Sequence, residues 1–187
     1  MKKLKDRAAI VTGGASGIGA GTALRLAEDR ACVVVADMNE SGAQRIVDEI
    51  TGRGDRAIAV AVDVADEQAT HEMIDACVEA FGRLDILHNN AAYTNASGQA
   101  ADRDLLTMDL ATWDKTMSVN LRGPMIASKY AIPEMLKNGG GSIINTSSSS
   151  AKTGDYERTA YAASKAAMLS LTRSIATQYG KLFPGLR

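Results

Sequence analysis

The sequence predicts a doubly wound α/β fold, a Rossmann-type parallel sheet of about five strands in this chain. Three observations carry that expectation. Several short β-rich runs are almost continuously apolar, as strands covered on both faces must be. Longer stretches of helical patterning separate them, and such alternation gives parallel pairing through right-handed crossovers. The first strand also runs straight into a glycine-rich turn that opens the first helix.

In chain order, Ala8–Thr12 reads as the first strand and Gly17–Asp29 as the helix behind it. Cys32–Ala36 and Glu40–Thr51 repeat the unit, and Gly52-Arg53-Gly54-Asp55 punctuates its end. A third strand, Ala57–Val62, precedes the helix Glu67–Phe81; a fourth, Leu84–His88, leads to the loop Tyr93–Asp104, whose Asn, Ser, Gly and Gln content suggests mobility. A long helical stretch covers Leu110–Leu136, where Asn120, Gly123 and Pro124 predict a kink or local unwinding. Gly139-Gly140-Gly141 ends it, Ser142–Thr146 is the fifth strand, and Thr159–Tyr179 the last helix. The run Ser147–Ser150 follows a strand directly, so it is not expected to be a disordered linker.

The bulk numbers narrow the function. At 187 residues the chain fits a single domain, 1–187. Its 21 basic and 22 acidic residues nearly cancel, so no general attraction to nucleic acid or anionic membrane is expected. No apolar run approaches the roughly 18–20 residues that span a bilayer, and Met1–Lys5 lacks a signal peptide's apolar stretch. Cys32 and Cys77 fall in apolar patterns without metal-ligand spacing and are expected to be buried free thiols. The expected setting is the reducing cytoplasm.

Chemistry begins at Thr12-Gly13-Gly14-Ala15-Ser16-Gly17-Ile18-Gly19. Glycines let the backbone approach a diphosphate closely, and the following helix offers unpaired amides and partial positive charge. Asp37 closes the next strand at the spacing where a carboxylate accepts the adenosine ribose hydroxyls and repels a 2′-phosphate. With Asn39 and Glu40 following, Asp37 could instead serve as a turn or helix N-cap aspartate. Neither arginine nor lysine stands beside it in the sequence, which favours NAD over NADP.

The helix Thr159–Tyr179 carries Tyr161-Ala162-Ala163-Ser164-Lys165. Residues four apart share a helix face, so phenol and ammonium lie side by side. Free tyrosine, with a pKa of about 10, is a poor proton-transfer group at neutral pH; a cation nearby favours its phenolate. Tyr156 has no such lysine. His71 and His88 stand singly on a helix and a strand, and surface or core roles are expected of them.

Taken together, Thr12–Gly19, Asp63-Val64, Asn89-Asn90-Ala91-Ala92, the strand Ser142–Thr146 and Tyr161–Lys165 make the chain resemble the short-chain dehydrogenase/reductase family from Arg7 to about Lys181. Ala92 stands where that family has glycine. The resemblance implies that Asp63 and Val64 contact adenine, that Asn89 ties strands together, and that Ser148, thirteen residues before Tyr161, is the catalytic serine. Ser147 and Ser149 would be structural. It implies a catalytic set of Asn120, Ser148, Tyr161 and Lys165, with Asn120 holding a water that links Lys165 to solvent and Lys165 also holding the nicotinamide ribose. The dinucleotide would lie against Gly13, Ser16, Gly17, Ile18, Gly19, Asp37, Met38, Asp63, Val64, Asn90, Ala91, Tyr161 and Lys165.

The expected activity is hydride transfer between NAD(H) and a secondary alcohol or ketone, without a metal. A 3-oxoacyl-carrier-protein reductase, commonly NADPH-dependent, is the sister possibility that Asp37 argues against; a non-catalytic NAD-binding or assembly module is the other. Homodimers or homotetramers through helices 110–136 and 159–179 are expected. The family continues into a sixth strand, a Pro-Gly turn, a substrate-covering loop and a seventh strand, whereas this chain ends at Lys181-Leu182-Phe183-Pro184-Gly185-Leu186-Arg187. The expectation is a C-terminally shortened chain, whether fragment, frameshift or shortened gene. Strand five would then be an edge, NAD binding weaker and turnover poor.

Overall fold

The computed structural model describes residues 3–94, 101–153, 155–180 and 185. Five strands form one parallel sheet in the order β3-β2-β1-β4-β5: β1 Ala8–Thr12, β2 Cys32–Asp37, β3 Ala57–Ala61, β4 Ile86–Asn89 and β5 Ser142–Asn145. Around it lie α1 Gly17–Glu28, α2 Glu40–Gly52, α3 Glu67–Phe81, α4 Leu110–Met117, α5 Gly123–Lys137, α6 Ser150–Thr153 and α7 Thr159–Tyr179. Every predicted strand and helix is present, with ends shifted by at most two residues except in the long fourth helix. The short α6 was not predicted.

Side chains alternate across the sheet and so divide the core in two. Val11, Val33 and Val35 face α1 and α2, packing on Ala23, Ala27, Ile46 and Ile50. Ala8, Ile10, Val34 and Ala36 face the other way, onto Met73, Ile74 and Cys77 of α3 and Ile132 and Met135 of α5. Ile175 and Tyr179 of α7 pack at the margin of this second cluster. β1 is buried along its whole length, which accounts for its unbroken apolar run.

Below the sheet, Asp85 clasps β1 to β4. Its carboxylate, only 4% exposed, accepts from Arg7 Nη1 at 2.6 Å, Arg83 Nε at 2.7 Å and Ala8 N at 2.9 Å. Burial alone would push the group up, but the bonds from Arg83, Ala8 and Arg7 hold it below the usual carboxylate range. Cys32 and Cys77 are buried free thiols, and burial pushes Cys77 up to about 12.

The long helix of the sequence reading is broken. α4 passes through a π-helical turn, Ser118–Arg122, into α5. Pro124 has no N–H to donate to the carbonyl of Asn120, and Gly123 N instead bonds Ser118 O. A methyl group on Gly123 would come within 2.9 Å of Val64 O, so glycine here lets the turn press against the segment that follows β3. No helix among the described residues is long and apolar enough to cross a membrane. The predicted mobile loop Tyr93–Asp104 falls partly on residues 95–100, and the tail, apart from Gly185, on residues 181–187; both lie outside the described residues.

Candidate active site

Strand order reverses between β1 and β4: the chain runs outward to β2 and β3 on one side and to β5 on the other. Connections leaving those two strands go to opposite faces, so a crevice opens above their carboxyl ends. It is a cleft of about 500 Å³. Of the residues expected at the dinucleotide, Gly13, Ser16, Gly17, Ile18, Asp37, Met38, Asp63, Val64, Asn90, Ala91, Tyr161 and Lys165 line it; Gly19 does not.

The glycine turn is locked from β4. Thr12 Oγ1 accepts from Asn90 N at 3.0 Å and Ala91 N at 3.1 Å, while Asn90 Nδ2 donates to Thr12 O at 3.1 Å. Gly13 has φ 66°, and a methyl there would come 2.9 Å from Ala91 Cα. A methyl on Gly19 would overlap the carbonyl oxygen of Gly13, so this glycine serves the packing of turn on helix. Gly17 differs. It has φ 52°, nothing lies within 4 Å of where its Cβ would be, and the residue is among those lining the cleft.

Helix α1 also leaves its N-terminus open. Asn39, Asp66 and Asp109 cap α2, α3 and α4 with side-chain oxygens, but Ser16 makes no such bond to α1. Its first amides and positive dipole end therefore remain for an anion. Asp37, at the end of β2, accepts from Ala15 N at 3.0 Å through Oδ2 and from Asn39 N at 2.9 Å through Oδ1. Asn39, not Asp37, is the cap of α2. A carboxylate has about four lone-pair sites, so two remain for ligand hydroxyls. Asp63 pairs with Lys115 at 3.2 Å and holds Ala65 N at 2.9 Å.

At the other end of the cleft, α7 presents Tyr161 and Lys165. Lys165 is 2% exposed, its Nζ donates to Thr146 O at 2.7 Å, and burial pushes its ammonium down to about 8. Nζ lies 5.7 Å from the Tyr161 ring centre and Arg158 Cζ lies 5.1 Å from it, so two cations flank the phenol. Ser148 and Asn120 do not line the cleft. Ser148 Oγ is paired with Ser150 Oγ at 2.8 Å. Asn120 is fully buried in the π-turn, accepting from Tyr93 N at 2.7 Å and donating to Ser164 Oγ at 3.1 Å. Its side chain thus ties the loop after β4 to α7. Ser147 Oγ bonds Lys165 O at 3.0 Å, and Asn89 Nδ2 bonds Asn145 Oδ1 at 2.8 Å across β4 and β5.

Sequence reasoning missed three participants. Asp102, 4% exposed, accepts from Ala160 N and Tyr161 N, each at 2.8 Å, and so caps α7 from a loop 58 residues upstream; no local pattern announces it. Arg158 belongs to no motif, and only the fold brings it over the Tyr161 ring. Thr146 also lines the cleft, and its position at a strand's carboxyl end was the available signal.

Residues 7–182 match the family model described as short chain dehydrogenase. The chain is 42% identical over 180 residues to a probable short-chain type dehydrogenase/reductase of Bradyrhizobium diazoefficiens, covering 96% of this chain and 63% of that one. It is 37% identical over 177 residues to the 2,5-dichloro-2,5-cyclohexadiene-1,4-diol dehydrogenase LinX of Sphingobium indicum, covering 95% and 68%. A solved 7 alpha-hydroxysteroid dehydrogenase, complexed with NADH and 7-oxo glycochenodeoxycholic acid, superposes with a TM-score of 0.90 at 33% identity, covering 100% of this chain and 69% of that one. The chain thus spans less than two thirds of the length of the Bradyrhizobium relative.

Proposed function

The chain belongs to the short-chain dehydrogenase family, and from that premise we propose that its cleft holds NAD(H) and serves hydride transfer with a secondary alcohol or ketone. One observation carries the proposal. The open N-terminus of α1, the Asp37 carboxylate and the Tyr161–Lys165 pair stand on one continuous cleft at the sheet's switch point. The space off Gly17 and the two spare lone-pair directions at Asp37 fit a diphosphate and a ribose diol. The Asp37 carboxylate would repel a 2′-phosphate, which favours NAD over NADP and disfavours the carrier-protein reductase alternative. LinX and the hydroxysteroid dehydrogenase are both named for ring-borne alcohols, which makes a cyclic secondary alcohol or its ketone the substrate class to try first.

When bound, the nicotinamide supplies the hydride donor or acceptor. Tyr161 Oη gives or takes the proton of the substrate oxygen, and Ser148 Oγ would hydrogen-bond that oxygen only on leaving its Ser150 partner and turning into the cleft. Lys165, oriented by Thr146 O, would hold the ribose hydroxyls of the dinucleotide, and its ammonium stands beside Tyr161. Asp102 caps the helix that carries Tyr161 and Lys165, and Asn120 ties that helix to the loop after β4.

Calorimetric titration tests the binding half. NAD+ should bind at least tenfold more tightly than NADP+, and Tyr161→Phe should leave NAD+ affinity within about twofold. NADH absorbance with cyclic secondary alcohols tests the chemistry, and Tyr161→Phe should abolish any turnover seen. Equal affinity for the two dinucleotides would overturn the NAD assignment; turnover persisting in the Phe variant would overturn the role of Tyr161.

A further inference from the structure

His88 lies on β4 inside the sheet, 6% exposed, with its Nε2 2.9 Å from Thr146 Oγ1. Its other ring nitrogen, Nδ1, is buried without a hydrogen-bond partner among the described residues. That asymmetry selects a tautomer. A neutral imidazole carries one N–H and one bare lone pair. Leaving an N–H orphaned in the interior is the rarer and costlier arrangement, so the proton belongs on Nε2. Burial also pushes the imidazole down from its ordinary value, which keeps it neutral near pH 7.

The consequence falls on Thr146. Its Oγ1 accepts from His88 Nε2–H, so the hydroxyl's own hydrogen needs another acceptor. Among the described residues Oγ1 has no second partner, and Thr146 lines the cleft. Its backbone carbonyl meanwhile receives Lys165 Nζ at 2.7 Å, which sets the residue at the Tyr161–Lys165 end and away from Asp37. We propose that His88 fixes Thr146 as a hydrogen-bond donor into the cleft, for an acceptor oxygen on the nicotinamide half of the dinucleotide. His88 is then a positioning residue, acting through Thr146, and Thr146 is a further binding residue. The inference rests on the dinucleotide reading above and adds a contact to it.

The experiment compares NAD+ with ADP, which carries only the adenosine half, as calorimetric ligands. Thr146→Val removes the hydroxyl at nearly constant shape and should weaken NAD+ roughly three- to tenfold, the worth of one neutral hydrogen bond. ADP affinity should not change, and Thr146→Ser should restore NAD+. A long-range 15N–1H spectrum of the unsubstituted protein should show His88 as the Nε2–H tautomer. Full NAD+ affinity in Thr146→Val, an equal loss for ADP, no rescue by serine, or an Nδ1–H tautomer would each overturn the inference. ADP binding without a further gain for NAD+ in the unsubstituted protein would overturn it while leaving the adenosine pocket standing. Failure of that protein to bind either ligand would remove the dinucleotide reading itself.

Discussion

In the function proposed above, Lys165 trades stability for chemistry. Its ammonium is buried, with one backbone carbonyl as its hydrogen-bond acceptor, and its value falls from 10.5 to about 8. A folded-state value below the unfolded one means that the charged form opposes folding. The penalty is fully present below about pH 8. It is relieved as pH rises from there toward 10.5, because the unfolded chain still binds a proton that the folded chain has released. Lys165→Met should therefore stabilise the protein at pH 7, by about 1–2 kcal/mol once the orphaned Thr146 carbonyl is set against the lost charge. Urea unfolding at pH 7 and at pH 10 checks this: the variant's advantage should shrink at the higher pH. A variant less stable than its parent at pH 7 would mean that the ammonium is better solvated than its 2% exposure implies.

At the scale of elements, the turn between β1 and α1 contains glycines with different duties. Gly19 is required by packing, since a methyl there meets the Gly13 carbonyl; Gly17 is required by its φ of 52° and by the cleft beside it. Gly19→Ala should cost about 1–3 kcal/mol of stability or more, because backbone must move. Gly17→Ala should cost about 1–2 kcal/mol through left-handed strain and, unlike most mildly destabilising changes, should weaken NAD+ more than tenfold by placing a methyl in the cleft. Thermal melts and calorimetry separate the two effects, and unchanged NAD+ affinity in Gly17→Ala would remove the turn from the site. These elements were readable from sequence because each obeys a local rule. β1 and β2 are apolar up to their last residue, and the kink expected from Asn120, Gly123 and Pro124 is the π-turn. What escaped notice depends on distance or on too few residues. The four residues of α6 cannot display a helical period, and Asp102 reaches α7 only through the tertiary fold. The bonds that hold Asn120 between the loop after β4 and α7 are likewise tertiary facts that spacing cannot carry, and the pairing of Ser148 with Ser150 is a local turn contact that a run of four serines does not single out.

For the molecule as a whole, the sheet is protected unevenly, and that can be measured. β1 lies between β2 and β4 and is wholly buried, whereas β5, at the edge of the sheet among the described residues, carries Ile144 at 43% exposure. Ser142 N and Thr146 N bond to Asp85 O and Asn89 O of the neighbouring chain segment, so by the alternation of a parallel ladder the amides of Ile143 and Asn145 point outward. Native-state hydrogen exchange should therefore find Ile10, Val11 and Val34 opening only with global unfolding, and Ile143 and Asn145 exchanging through local opening with little denaturant dependence. NAD+ at about 100 times its dissociation constant should add about 2.7 kcal/mol to global stability. It should slow the β1 amides about a hundredfold and leave the outward Ile143 amide nearly unchanged, because local fraying at that end of β5 need not break the contact proposed at Thr146. Protection of Ile143 and Asn145 equal to that of β1 would contradict this. It would mean that the exposed row of β5 is paired in solution with another strand, and exposed strand edges invite a second chain. Repeating the exchange across a range of protein concentrations would then separate pairing between copies from pairing within one.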